Sequence, residues 1–577
     1  MINSTNMLTL KLNNLSAQLP PKSLENNADV ISQNKTENKP ALIGAYLDNL
    51  ARINAAAVEK SEKTENINYH NNLRSLFTNN QAKILAINLR TFNARDLNHN
   101  EYIDENEQHG TFKNAVYRLD EVKNSGFNTL HILPLHEPGK MKAMGTAGSL
   151  YSPKDLLSID PVLLDPTDSR SPKEQFKSFV DECHKRGIKV MIDLPSCASY
   201  DLFLARPDLM AMKRDGLAKT PQGWNDIRMF QPWEDEGKRT LNPALLELHK
   251  EYVDMCIDAG VDGIRADVAR AKPVEFWDVI IPYSRMRDPE FGWLAETYTY
   301  EDASPQANMP YDRPQDSLRA GFDLIYGQYH IFHEWPDAST FIDYVKDNLR
   351  MSYELPKGKA LIGSFATHDD MSPMFNGGVE YCNMTTVLQS TLPMLNPYEV
   401  DGFQSGDYYL YPYGNQYSEN TATDNHIMDV HKGKLDIFNL SRKPGGSNPE
   451  IGDFMTKTFA MRDKYIDIIS KGTFIPLEKA GDSQDQIIAY ARHLNGKTLL
   501  VVANKNVDRP IACKIKVPTL KEDQKLENLV PSYGKESILQ AGNGIMAVDL
   551  GPGRAHVFEI DTPEIESRSK KVYRQNI

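Results

Sequence analysis

Eight short apolar runs recur through the middle of the chain, separated by segments of helical spacing, and few architectures satisfy that alternation. The runs are Ile84–Leu89, Thr129–Leu135, Ile188–Leu194, Gly263–Asp267, Gly292–Glu296, Phe322–Tyr326, Leu361–Phe365 and Leu392–Leu395. Between them, Phe112–Ser125, Ser171–Arg186 and Pro243–Ala259 carry apolar residues three and four apart, the period of a helix with one buried face. Strands alternating with helices make βα units and a parallel sheet. Eight such units close into an α/β fold, the (β/α)8 TIM barrel. The interval from Asp193 to Asp267 is too long for one unit, so the stretch 196–242 reads as an insertion after strand 3.

Past about Lys471 the texture changes to short strands parted by turns, at Ile487–Arg492, Thr498–Val502, Ile511–Val517, Gly544–Leu550 and His556–Ile560. No helical repeat intervenes, which predicts a C-terminal antiparallel β-sandwich. The expected organisation is a leader over 1–80, partly disordered, with one amphipathic helix through Ile43, Leu47, Leu50 and Ala57. The barrel takes 81–470 including the inserted segment 196–242, the sandwich takes 471–562, and 563–577 is a flexible tail.

Composition narrows the function. Hydrophobic residues make up 40% of the 577 and charged residues 25%, a globular balance that excludes a wholly disordered chain or a fibrous rod. The net charge of −13 gives no footprint for wrapping nucleic acid, so no nucleic-acid partner is expected. No run approaches the roughly 18 apolar residues of a membrane span, so no membrane partner is expected either. The chain lacks the basic and apolar start of a signal peptide, and its five scattered cysteines form no C-x-x-C pair. A reducing, cytoplasmic location is the expectation.

Three acids stand at the C-terminal ends of strands 4, 5 and 7: Asp267 in GIRADVARAKP, Glu296 in GWLAET and Asp369 in IGSFATHDD. A parallel barrel carries its active site on that face. One acid at a strand end is commonly a helix cap or a loop ligand. Three on one rim, with Arg265 two residues before the first and His368 directly before the last, point to chemistry instead. Retaining glycoside cleavage needs a carboxylate nucleophile and a protonated carboxyl about 5–5.5 Å apart. A neighbouring Arg favours the ionised state and apolar surroundings the protonated one. Arg265 and the pair Trp293–Leu294 supply those residue types. A third acid can stabilise positive charge at the anomeric carbon.

These segments resemble the signature segments of the α-amylase family, glycoside hydrolase family 13. GIRADVARAKP matches the fourth-strand segment, GWLAET the fifth, SFATHDD the seventh and, more loosely, VMIDLPSCA the third. The resemblance spans roughly 84–470, and in GSLYSPKD and DLPSCASYD it is closest to the maltosyltransferase branches. It implies Asp267 as nucleophile, Glu296 as general acid/base and Asp369 as transition-state stabiliser. It further implies that Arg265 pairs with the nucleophile, that His368 binds hydroxyls of the sugar being cleaved, and that Tyr151 stacks on that sugar. Arg270 and Ala271 replace the family's acceptor-side Lys-His pair, and Arg270 is a substrate-binding candidate. Cys197 and Ala198 stand where the family has a calcium-binding Asn and a sugar-binding His, and Ser152 replaces a frequent Asp, so that metal site is expected to be absent.

A second metal signal follows strand 1. Asp96, Asn98, Asn100, Tyr102 through its carbonyl, and Asp104, with Glu107 at the twelfth place, have the spacing of an EF-hand-type calcium loop, although Glu101 takes the place of the usual Gly. Several family members carry a similar loop here, so a structural Ca2+ is the expected cofactor and no organic cofactor is expected. His330 and His333 lack the H-E-x-x-H order of a zinc site and read as a solvated or packed pair.

The expected activity is that of a retaining α-amylase-type glycosidase working on α-1,4-glucans or malto-oligosaccharides through a covalent glycosyl-enzyme. The alternatives are an α-glucan glycosyltransferase of the maltosyltransferase kind and a catalytically silent glucan-binding protein. The sequence assigns no oligomeric state.

Overall fold

The computed structural model describes residues 69–94, 108–143, 148–221, 226–298, 313–370, 372–407, 448–480, 484–522, 524, 526–531, 537–561 and 573–576. Its parallel strands are β1 (Ile84–Ile87), β2 (Thr129–Ile132), β3 (Lys189–Leu194), β4 (Gly263–Ala266), β5 (Gly292–Ala295), β6 (Leu324–Ile325) and β7 (Ala360–Ile362). The eighth is broken at Pro397, which has no N–H to give the ladder, into β8 (Leu395–Asn396) and β9 (Tyr398–Val400). Each strand bonds to the next, β8 lies on β7, and β9 returns to β1 with Tyr398 opposite Ile84. The sheet therefore closes into the TIM barrel, and each of the eight apolar runs contributes one of its strands.

Alternation along the strands divides two cores. Ile84, Ala86, Met191, Leu294, Leu324, Tyr326, Ala360, Ile362 and Tyr398 fill the barrel. Their neighbours, such as Leu85, Val190, Ile192, Ile264 and Trp293, face the helices outside. The outer helix α1 (Pro172–Lys185) starts at a Ser171–Glu174 capping box with Pro172 in its first turn. The next, α2 (Pro243–Asp258), is capped by the Asn242 side chain. The predicted helix over 112–125 is interrupted: Phe112–Ala115 and Leu119–Asn124 flank a 3₁₀ turn at Val116–Arg118, where Arg118 turns inward to a two-bond pair with Asp401.

Both ends of the chain need correction. Of the leader 1–80, the amphipathic helix around 43–57 lies outside the described residues, but 69–80 belong structurally to the barrel. The short helix Leu73–Thr78 drives Leu73 and Phe77, both fully buried, into the N-terminal mouth. There a Cβ on Gly263 would come within 2.8 Å of Leu73, and one on Gly292 within 2.7 Å of Phe77. The tail is likewise anchored over 573–576: Phe474 and Tyr573 exchange backbone bonds, and the Asn576 side chain donates to Ser352 O and Leu355 O.

The insertion after β3 holds two small antiparallel pairs, Cys197–Ser199 with Ile227–Met229 and Trp233–Asp235 with Thr240–Leu241. Beyond the barrel, two four-stranded antiparallel sheets stack around a separate apolar core that includes Leu500, Val502, Ile515, Val548 and Phe558, the expected β-sandwich. All five cysteines are buried and unpaired. Among the described residues no helix is long and apolar enough to cross a membrane.

Candidate active site

At the C-terminal mouth the inward positions of the strands turn polar. Asp193 lies near the end of β3, Arg265 within β4, and Asp267 and Glu296 directly beyond β4 and β5. Arg265 is wholly buried and its guanidinium organises the group. Nη1 donates to Asp193 Oδ1 at 2.8 Å and to Asp267 Oδ1 at 3.0 Å; Nη2 donates to Glu296 Oε2 at 2.7 Å; Nε donates to the Tyr326 hydroxyl at 3.1 Å. One planar fork thus fixes three carboxyl groups from three neighbouring strands.

Asp267 Oδ2 accepts from the Ser196 backbone N–H at 3.0 Å and from Ser196 Oγ at 2.7 Å. Both oxygens of this carboxyl are thus engaged by donors from two neighbouring strands. Glu296 Oε2 also accepts from Val268 N at 2.8 Å. Val268 has φ of +35°, a left-handed backbone in a β-branched residue. Such strain persists where its surroundings over-determine it. Here Ala271 N binds Val268 O at 2.7 Å, and Trp277 Nε1 holds Ala269 O at 2.8 Å.

The surroundings push the carboxyls apart. Burial raises Glu296 well above the usual carboxylate range, and the nearby Asp267 and Asp369 charges add to it against the opposing pull of Arg265. Desolvation in the cleft, with the charges of Asp370, Asp267 and Asp193, raises Asp369 to about 7 in spite of Arg265. Asp193 moves the other way, to about 2: burial alone would raise it, but Arg265 and then His131 dominate. Burial thus favours the protonated form of Glu296, while Asp193 serves as the fixed counter-charge.

His368 and Tyr151 complete the wall. Tyr151 OH donates to Asp193 Oδ2 at 2.8 Å and so accepts from His368 Nε2, also at 2.8 Å, with the two rings stacked 6.0 Å apart. Burial, then the Arg265 charge, lowers His368 well below its usual value, which keeps the imidazole neutral. Its Nδ1 is buried with no partner among the described residues. His368 Nε2 also lies 3.5 Å from Asp369 Oδ2. The structure therefore gathers Asp267, Glu296, Asp369, Arg265, His368 and Tyr151 in one place. Arg270 is half-buried in the 3₁₀ turn Ala269–Ala271, three residues beyond Asp267.

Other members of the group were not legible as site residues. His131, inward on β2, lies with Nε2 3.3 Å from Asp193 and Nδ1 2.8 Å from the Tyr398 hydroxyl. Tyr298 OH reaches Glu296 Oε1 at 3.4 Å, and its ring stands 4.9 Å from that of His330. The only sequence signal for His131 and Tyr398 is a polar or hydroxylated side chain at an inward place in an apolar strand. The calcium-loop residues Asp96, Asn98, Asn100, Tyr102 and Asp104 lie outside the described residues. Among the described residues, no group of three or more His, Cys, Asp or Glu side chains could hold a metal ion.

No family model matches the chain. It is 25% identical over 286 residues to an α-1,4-glucan:maltose-1-phosphate maltosyltransferase of Cereibacter sphaeroides, covering 47% of this chain and 40% of that protein. A protein of the same name from Picrophilus torridus is 24% identical over 500 residues, covering 83% of this chain and 72% of the relative. The chain spans less than half the length of the first of the curated relatives it matches, from 21% to 44%. Among solved structures, a noncanonic maltogenic α-amylase from Thermotoga neapolitana superposes with a TM-score of 0.59 at 19% identity, over 84% of this chain and 99% of that one. The resemblance to the α-amylase family, with its maltosyltransferase-like branch, holds, and the fold is shared with α-amylases.

Proposed function

We propose that this chain is a retaining α-glycoside-processing enzyme of the α-amylase type acting on α-1,4-glucans or malto-oligosaccharides. The carrying observation is one buried Arg265 fork bonded both to Asp267, which Ser196 also clasps with two donors, and to Glu296, which burial raises well above the usual carboxylate range. A single fork holding both carboxyls keeps them close together, as the nucleophile and the acid of one glycosidic bond must be.

In the first step an Asp267 oxygen bonds to the anomeric carbon as the glycosidic C–O bond breaks, and Glu296 gives its proton to the departing oxygen. In the second, Glu296 as carboxylate takes the proton of an incoming hydroxyl. That hydroxyl oxygen bonds to the anomeric carbon while the Asp267 ester bond breaks. Asp369 supports the positive charge that develops on the sugar, Tyr151 and His368 bound its ring and hydroxyls, and Arg270 serves the acceptor side. Water as acceptor gives hydrolysis, and a sugar hydroxyl gives transfer. The names of the curated relatives favour a second reading, transfer of a maltosyl unit from maltosyl phosphate to an α-1,4-glucan.

Products formed from maltoheptaose, with and without phosphate, test both readings beside Asp267→Asn. Only shorter sugars with new reducing ends mean a hydrolase; longer oligosaccharides or a glycosyl phosphate mean a transferase. Identical inactivity of wild type and variant would contradict both and favour a binding protein.

A structural Ca2+ bound by Asp96, Asn98, Asn100, Tyr102 and Asp104 belongs to the same proposal, supported by donor spacing alone. A chelator should lower the melting temperature and added Ca2+ restore it; an unchanged melting temperature speaks against the site. The five buried, unpaired thiols support a cytoplasmic location.

A further inference from the structure

Asp267 is held from below as well as from the side. Its Oδ1 belongs to Arg265, which it shares with Asp193 and Glu296, whereas its Oδ2 takes both of its bonds from Ser196. Ser196 stands just past β3 and Asp267 just past β4, and Asp267 N donates back to Leu194 O at 3.0 Å. The two loops are therefore cross-bonded at the nucleophile.

The Ser196 carbonyl in turn faces Lys272, whose Nζ lies 3.4 Å away. Lys272 is only 2% exposed. Its ammonium sits over the rings of Phe230 at 5.3 Å and of Phe276 and Trp277 at 5.9 Å each. One carbonyl and three aromatic faces are a sparse shell for a buried cation. Desolvation pushes the amine down to about 8, and the charge of Asp267 holds it up against that pull. A neutral residue would fill this pocket more cheaply, so the ammonium must serve what lies next to it.

We propose that Ser196 is a positioning residue for the Asp267 carboxylate and that Lys272 acts through it by fixing the Ser196 loop. This rests on the retaining reading above. With both oxygens tethered, Asp267 has one orientation toward the anomeric carbon, and a misplacement of about 1 Å at such a centre costs on the order of 10²-fold in rate. The Ser196 donors also stabilise the carboxylate charge that returns when the glycosyl ester breaks.

The test is steady-state kinetics of wild type, Ser196→Ala, Ser196→Thr, Lys272→Met and Lys272→Arg on two substrates, α-maltosyl fluoride and maltoheptaose. Fluoride departs with little protonation and kcat/KM reports only the steps through formation of the glycosyl ester, so a kcat/KM defect seen on both substrates does not come from leaving-group protonation by Glu296. Ser196→Ala should lower kcat about 10- to 100-fold on both, the rate equivalent of a charge-assisted hydrogen bond, with KM within about twofold. Ser196→Thr keeps the hydroxyl and should recover most of the rate. Lys272→Met should shift kcat in the same direction by less, and Lys272→Arg should recover part of that loss. Wild-type kcat in Ser196→Ala, a loss confined to KM, or a loss confined to maltoheptaose overturns the proposal. If Lys272→Met does not fold, the two Ser196 variants still decide. A wild type that turns over neither substrate removes the retaining reading and the proposal with it, an outcome the wild-type control alone identifies.

Discussion

The two mouths of the barrel are closed by opposite means, although β4 and β5 run through both. At the N-terminal mouth, Gly263 and Gly292 open these strands and give room to the apolar side chains of Leu73 and Phe77, whose helix is seated by peripheral polar bonds such as Asn71 to Asp262 O and Ser75 N to Glu290. At the C-terminal mouth the same strands end in Arg265, Asp267 and Glu296, with buried charge, a strained Val268 and a carboxyl raised well above its usual range. Burying charge is costly unless it is paired, and strain is costly outright. Packing at one mouth offsets the cost of function at the other, so substitutions at the two ends should fail in different ways.

The largest contrast is expected from Asp267→Asn, which should lower kcat by roughly 10⁴-fold while the melting temperature stays level or rises. A parallel fall in stability would mean that the rim is structural. At the opposite mouth, Leu73→Ala should lower the unfolding free energy by about 2–5 kcal/mol and leave kcat/KM of the folded protein near wild type. Denaturant titration beside kinetics checks both halves. Val268→Gly should relieve the left-handed backbone and raise stability by about 1 kcal/mol, while its N–H keeps the bond to Glu296. A destabilised Val268→Gly protein would show that no strain is stored there.

The smallest effect concerns pH. Asp369 is raised from 3.8 to about 7, so the folded protein holds a proton that the unfolded chain has released between those values. The stability this group contributes is fully present below its unfolded pKa and is lost as pH rises through about 7. The melting-temperature advantage of Asp369→Asn over wild type should therefore widen between these values and level off above them. The side chain is 37% exposed, so solvent screens the effect and a small shift is expected. An advantage that shrinks with rising pH would reverse the sign.

The sequence-level signals were strong where periodicity or position carried them. Eight apolar runs mark eight strands because burial on both faces leaves few polar interruptions. Asp267, Glu296 and Asp369 stand out because they end those runs. Leu73 and Phe77 do not, since two apolar residues on one short helix in a polar stretch have no period to reveal them. Tyr573 and Asn576 anchor the tail through mostly backbone and amide bonds, which leave no hydrophobic trace. Ser196 and Lys272 are far apart in sequence and meet only because adjacent barrel strands bring their loops together. Arg118 shows the converse: a continuous helical pattern gives way to a 3₁₀ turn when a buried partner, Asp401, lies across the barrel wall.

The retaining chemistry at Asp267 is tested most directly by trapping its product. Glu296→Gln incubated with α-maltosyl fluoride can form the glycosyl ester, because fluoride leaves unaided, but cannot activate an acceptor to release it. Intact-mass analysis should show one added maltosyl unit, and peptide mapping should place it on Asp267. An unmodified protein, a sugar attached to another residue, or first-formed maltose of the β configuration would contradict a retaining mechanism through Asp267.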